Sequence, residues 1–265
     1  MTLRPVLFST DPRLVGELAA VETPLVAAVV CDWERQGKKQ RQARAATTIG
    51  TDTQIGTDTE EDLRRVTRSS LVPVWCRINA VGDHTPKEVE LALEGGADEL
   101  LLPMVRTPEE VEHIIGIADG RAEVGILIET EAAVSAVEEL ASLPLSRGYV
   151  GLMDLALGRG ADSIFTPFVD GTLERVRARF PHQLGVAGLT VPGRGRPIPA
   201  RLLCGEMVRL GYDFSFMRRS FTEDAIDDPA GAVIRIANMI AELELRTGGE
   251  EERDSTAFRR LVVGR

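Results

Sequence analysis

The feature that most limits what this chain can become is a recurrence. Short runs rich in β-branched and aliphatic residues alternate with helix-spaced segments along nearly the whole sequence. Such alternation calls for parallel strands joined by crossover helices. Strand-type runs fall at 6–10, 25–34, 72–79, 99–104, 124–130, 148–156, 184–191 and 212–221. Helical spacing occupies 12–21, 60–69, 86–95, 108–118, 130–141, 171–180, 200–210 and 229–245. Eight units in unbroken order predict a single (β/α)8 barrel over residues 1–246. An open doubly wound sheet usually has fewer strands and a Gly-rich phosphate turn after the first, and no G-x-G-x-x-G follows 6–10. Two helix starts, Thr85-Pro86-Lys87-Glu88 and Thr107-Pro108-Glu109-Glu110, carry the capping-box pattern with proline at the first helical position.

Charge narrows the classes of partner. Lys and Arg number 31 against 41 Asp and Glu, a net charge of −10, and no basic run is interleaved with aromatics, so a nucleic-acid footprint is not expected. No window approaches eighteen consecutive apolar residues and the first ten lack the pattern of a signal peptide, so no membrane association is expected. The three cysteines, Cys31, Cys76 and Cys204, form no Cys-x-x-Cys pair, which argues against a disulfide framework or structural zinc and suits a reducing cytoplasm.

Two connections exceed what the barrel needs, 35–60 and 157–170. The first holds the basic run 37–42 and a doubled pentapeptide, Ile49-Gly50-Thr51-Asp52-Thr53 followed by Ile55-Gly56-Thr57-Asp58-Thr59. Long βα loops lie at the C-terminal mouth of a barrel, so both are candidate lids, the alternative being plain mobile insertions. The polar stretch 247–265 is expected to be a frayed tail or an oligomer arm.

Polar residues gather where strands end, as a barrel site requires. Strand two closes on Asp32-Trp33-Glu34, strand three on Arg77-Ile78-Asn79, strand five on Glu129, strand six on Asp154 and strand eight on Arg218-Arg219-Ser220. Because side chains alternate along a strand, Asp32, Glu34, Arg77 and Asn79 facing the lumen turn Cys31, Trp33 and Cys76 outward as packing residues. Glu129 and Asp154, at the ends of neighbouring strands, could share one Mg²⁺ or Mn²⁺ and leave positions for water and a bidentate ligand such as an α-keto acid. The alternative is that they cap helices or pair with Arg77. The loop 190–197, with Arg194 and Arg196, would suit an anionic substrate tail or a nucleotide together with Arg218 and Arg219, the alternative being two solvated loop arginines.

The segments Asp32-Trp33-Glu34 with Lys38 and Arg41-Gln42, Arg77-Ile78-Asn79, 96–105, Ile128-Glu129-Thr130 and 151–155 together resemble the HpcH/HpaI aldolase and citrate lyase beta-subunit family of the phosphoenolpyruvate/pyruvate barrel superfamily. The motifs span about residues 25 to 160. That resemblance implies that Glu129 and Asp154 are metal ligands and that Arg77 binds the carbonyl oxygen that becomes an enolate. It also implies a symmetric homo-oligomer, a trimer or hexamer. In the aldolase branch a histidine follows the Asp-x-Glu segment and serves the acid/base step, whereas Arg35 stands there in this chain. Glu34 or His84 is the candidate replacement, beside a water on the metal. The Lys and Arg after Asp-x-Glu are also similar to the citrate lyase branch, which acts on acyl-CoA thioesters.

These readings make Asp32, Glu34, Arg77 and His84 the catalytic candidates, Asn79, Arg194 and Arg218 the substrate-binding ones, and Glu129 and Asp154 the metal ligands. The expected activity is a metal-dependent carbon–carbon lyase of aldolase type acting through a pyruvate-like enolate. Alternatives are an acyl-CoA lyase, a barrel subunit without catalysis, or a metal enzyme for a phosphorylated substrate.

Overall fold

A computed structural model of the chain describes residues 2–19, 25–48, 56–217, 221, 225 and 227–264. Eight parallel strands close in sequence order: β1 (Arg4–Phe8), β2 (Val29–Asp32), β3 (Val74–Arg77), β4 (Glu99–Leu102), β5 (Glu123–Ile128), β6 (Arg147–Val150), β7 (Gln183–Leu189) and β8 (Phe214–Met217), which returns to β1. The described helices are α1 (Pro12–Ala19), α2 (Lys38–Thr48), α3 (Glu60–Ser69), α4 (Thr85–Glu94), α5 (Pro108–Ala118), α6 (Glu131–Ser135), α7 (Val137–Ala141), α8 (Leu152–Arg159), α9 (Thr172–Arg179), α10 (Ala200–Arg209), α11 (Pro229–Glu244) and α12 (Gly248–Val263). The eight-stranded barrel expected from the alternation is present.

Strand alternation divides the interior into two cores. Outward-facing residues, Cys31, Trp33, Cys76 and Ile78 among them, pack under the helices. Inward-facing Val6, Ala28, Val30, Trp75, Leu101, Leu127, Tyr149, Phe214 and Phe216 fill the lumen. The lumen is unusually aromatic for a chain with only 5% Phe, Trp and Tyr. Phe216 meets Phe8 edge-on at 4.8 Å and lies 3.9 Å from Tyr149, and Trp75 meets Phe214 edge-on at 5.6 Å. Cys31 and Cys76 are fully buried beside each other in register, and burial pushes the Cys76 thiol well up, so both are packing residues.

Four local expectations are corrected. The run 148–156 is not one strand: β6 stops at Val150 and α8 begins at Leu152, so Asp154 lies in a helix's first turn rather than at a strand end. The long connection after β2 contains α2, a polar helix without an apolar stripe. The stretch 247–265, expected to be a frayed tail or an oligomer arm, is not frayed among its described residues: it forms α12, which packs on α10 with Phe258 buried and edge-on to Phe168 at 5.2 Å. The capping box at Thr107 forms, but the one at Thr85 does not. There Glu88 turns to Asn79 and the helix starts at Thr85, after His84.

No described helix is long and apolar enough to cross a membrane.

Candidate functional site at the C-terminal mouth

The register of β2 on β3 sets Asp32 directly beside Arg77. Arg77 donates from Nε to Asp32 Oδ1 (2.9 Å) and from Nη2 to Oδ2 (2.7 Å), a bidentate pair, and its Nη1 lies 3.3 Å from Glu34 Oε2. Below it the Phe8 ring faces the guanidinium at 4.9 Å. Burial opposes the charge on Arg77, but Asp32 and Glu34 outweigh it and hold the guanidinium above its ordinary value. Lys38 opens α2 four residues after Glu34 and bridges the same two carboxylates, 3.1 Å from Asp32 Oδ2 and 3.0 Å from Glu34 Oε2. Arg41, one turn further, pairs with Glu34 Oε1 and places Nε 2.8 Å from Asp154 Oδ1.

Burial likewise works against charge on Glu34, yet Arg77, Lys38 and Arg41 together hold its carboxyl below the usual range. Glu129 has no such support. Its Oε1 accepts the Met104 N–H at 2.8 Å, presented by a backbone at φ +57°, and no cation pairs with it among the described residues. Burial first, then Asp154 and Glu34, push Glu129 up to about 8. Asp154 is also raised, by burial and by Glu34, against the pull of Arg41. Gly151 makes room for this pair, because a side chain there would collide with the Glu129 carboxylate.

The donor chemistry fits a divalent cation. Glu129 Oε2 and Asp154 Oδ2 take no hydrogen bond from any described residue, and two hard oxygens that repel each other are relieved by a cation. Among the described residues no group of three or more His, Cys, Asp and Glu forms a complete metal cage. A cation here would take two protein carboxylates and fill its other positions from water or substrate, the usual situation for Mg²⁺.

The other sequence candidates fare differently. Asn79 faces the mouth, but its carboxamide is fully committed: Nδ2 donates to Trp33 O (3.1 Å) and Glu88 Oε1 (2.5 Å), and Oδ1 accepts the Arg35 and Gln36 N–H groups at 2.8 and 2.9 Å. It staples the turn that launches α2 instead of presenting a free group to a substrate. His84 lies 3.6 Å from Glu88 and makes no ion pair or hydrogen bond with Asp32, Glu34, Glu129 or Asp154 among the described residues, so the structure does not bring it into the cluster. Arg194 is exposed on the loop after β7, and Arg218 lies outside the described residues. Lys38 and Arg41 stood in the basic run and in the segment that carries the family resemblance, without a role in the site; the i, i+4 spacing from Glu34 to Lys38 was the signal that they pair with its carboxylates.

The second pentapeptide of the repeat, from Gly56 on, crosses the end of β2, while 49–55 lies outside the described residues. Asp58 accepts the Asp32 N–H at 2.8 Å and the Thr10 hydroxyl at 3.1 Å, and Trp33 Nε1 donates to Thr59 O at 3.3 Å. The Arg35 guanidinium donates to Asp58 O, so it points at this strap.

No family signature matches the chain. No curated protein matches it either. Solved structures do. A HpcH/HpaI aldolase/citrate lyase family protein from Burkholderia cenocepacia J2315 superposes with a TM-score of 0.61 at 16% identity, over 93% of this chain and 95% of that one. The HpcH/HpaI aldolase of Desulfitobacterium hafniense DCB-2 gives 0.58 at 14% identity, over 93% and 94%. The citrate synthase SbnG gives 0.58 at 18%, over 91% and 95%. What these proteins share with this chain is the complete barrel.

Proposed function

We propose that the protein is a divalent-metal-dependent carbon–carbon lyase of the aldolase type, using Mg²⁺ or Mn²⁺ and taking pyruvate or a related α-keto acid as half-substrate. The observation that carries this reading is the Glu129–Asp154 pair, two carboxylates with open oxygens and too little counter-charge at the barrel mouth next to Arg77. The names of the superposed structures, aldolases and a citrate synthase, support it.

A cation held by Glu129 and Asp154 would draw electron density from a bound carbonyl. Arg77 does the rest of the charge work. Asp32 and Glu34 fix its plane and leave one N–H on each of Nη1 and Nη2 uncommitted among the described residues, so it can donate to an oxygen that gains negative charge as the carbon–carbon bond breaks. Because those carboxylates are already in place, little reorganisation accompanies the reaction. Phe8, which lies under Arg77, and Phe216 beside it would give a bound ligand an apolar floor. With His84 and Arg35 turned to other partners, Glu34, held ionised by Arg77, Lys38 and Arg41, is the carboxylate beside Arg77 that would accept a proton.

Incubation with pyruvate and Mg²⁺ or Mn²⁺ in D₂O tests this by proton NMR. The methyl signal should decay with wild type and decay at least about 100-fold more slowly with Arg77→Met, the usual cost of one oxyanion donor. No exchange, with metal shown to be bound, contradicts enolisation. A second reading, a barrel subunit that binds without catalysis, draws on Arg35 and its attachment to Asp58. It would show ligand binding that is indifferent to Glu129→Ala.

A further inference from the structure

Among the described residues, the ion-paired cluster at the mouth and its neighbour Glu129 hold four carboxylates, Asp32, Glu34, Glu129 and Asp154, against three cations, Lys38, Arg41 and Arg77. The cations are unevenly shared. Lys38 and Arg77 both pair with Asp32 and Glu34, whereas Arg41 is the one cation ion-paired with either member of the Glu129–Asp154 pair among the described residues. Its guanidinium is held from three sides. Nη2 is on Glu34, Nη1 donates to Gln36 O at 3.3 Å, and the Gly37 turn, at φ +67°, packs against it. Glycine at 37 allows that turn and that approach at once.

Arg41 and Asp154 reach each other because α2 packs on α8, so the two helices that close over the rim supply one charge each. Arg41 takes Asp154 Oδ1, and Asp154 Oδ2 and Glu129 Oε2 take no hydrogen bond from any described residue. A divalent cation on those oxygens and the guanidinium on Oδ1 would be like charges on one small group in a half-buried site, where Coulomb repulsion is far stronger than in water.

We infer that Arg41 is a resident counter-cation that competes with the divalent metal for Asp154, holding the mouth together when the metal site is empty and weakening metal binding when it fills. This rests on the functional reading above, because it presumes that a metal binds to Glu129 and Asp154. It makes Arg41 a residue that sets cation affinity. Cation entry would then leave Arg41 with Glu34 alone, and its Nε free for an anionic ligand at the rim.

The test is direct binding of Mn²⁺, followed by electron paramagnetic resonance of the free ion at low salt, to wild type, Arg41→Gln and Arg41→Lys, with melting curves to show that each is folded. Removing the guanidinium should tighten Mn²⁺ about tenfold in Arg41→Gln. Arg41→Lys keeps the charge but cannot span Glu34 and Asp154 together, and it should fall between the two. Measurable binding in wild type that tightens in the Gln variant supports competition. Wild type that binds Mn²⁺ as tightly as, or more tightly than, Arg41→Gln overturns it and leaves the metal reading standing, with Arg41 a support for Asp154. Failure of all three to bind Mn²⁺ removes both.

Discussion

The two ends of the barrel hold the same kinds of group in different proportions. At the N-terminal end Glu99, the first residue of β4, is 1% exposed and accepts Arg147 Nε on both carboxylate oxygens at 2.7 Å, with the Ser146 hydroxyl at 2.7 Å as well. The Arg147 guanidinium lies 4.2 Å from the Trp75 ring and is completed by Gln183 at 2.5 Å. At the other end of the same aromatic column Arg77 lies over Phe8. There, among the described residues of the cluster, the acids outnumber the bases, open oxygens remain, and Glu129 is driven to about 8. One buried acid and one base, sealed by rings, close the bottom, and the second acid that Arg147 reaches, Glu123 at 3.6 Å, is exposed to water. Surplus negative charge keeps the top unfinished, and an unfinished site is one that a ligand can complete.

This contrast can be broken from below first. Arg147→Met leaves Glu99 buried without its partner and should cost about 3 kcal/mol or more in urea denaturation at neutral pH. Burial already raises the Glu99 carboxyl, so the loss should shrink as the pH falls and Glu99 takes a proton. Mn²⁺ affinity should be unchanged. If Mn²⁺ affinity falls with stability, the two ends are not independent.

The opposite sign is expected at the top. Glu129 is raised from 4.5 to about 8 in the folded state, so the folded metal-free protein binds this proton more tightly than the unfolded chain does. Its burden on stability is absent below the unfolded value and complete above the folded one. Glu129→Gln should therefore stabilise the metal-free protein by about 4 kcal/mol near pH 9 and by almost nothing below about pH 4. Melting curves across that range check it. A variant less stable than wild type near pH 9 would mean that the carboxylate is compensated after all.

How much of this could be read from the residues depended on whether a position is fixed by its own strand. Asp32, Arg77 and Asn79 follow from alternation along β2 and β3, and the outward cysteines follow with them. Eight strands were legible because buried parallel strands are apolar runs bounded by polar turns. The boundary of β6 was not, because 148–156 stays apolar across the strand end, and only the chain's turn at Gly151 separates strand from helix. Helices α2 and α12 were hidden for a related reason. The first buries charged groups of the site in place of an apolar stripe, and the second rests on Phe258 and Val262 alone among its residues. Asn79 was legible as facing the mouth but not as saturated, since its partners are backbone groups of 33, 35 and 36 and a glutamate that the sequence assigned to a helix cap. The Met104 N–H that orients Glu129 depends on a left-handed residue that no side-chain pattern marks.

The account stands most directly on where a divalent ion goes. Mn²⁺ titrated into wild type, Glu129→Gln and Asp154→Asn, followed by water-proton relaxation, should show one bound ion per chain in wild type and none at the same concentrations in either variant. Wild type without bound Mn²⁺, or two variants that bind it as wild type does, would contradict the claim that these two carboxylates form the working centre of the barrel.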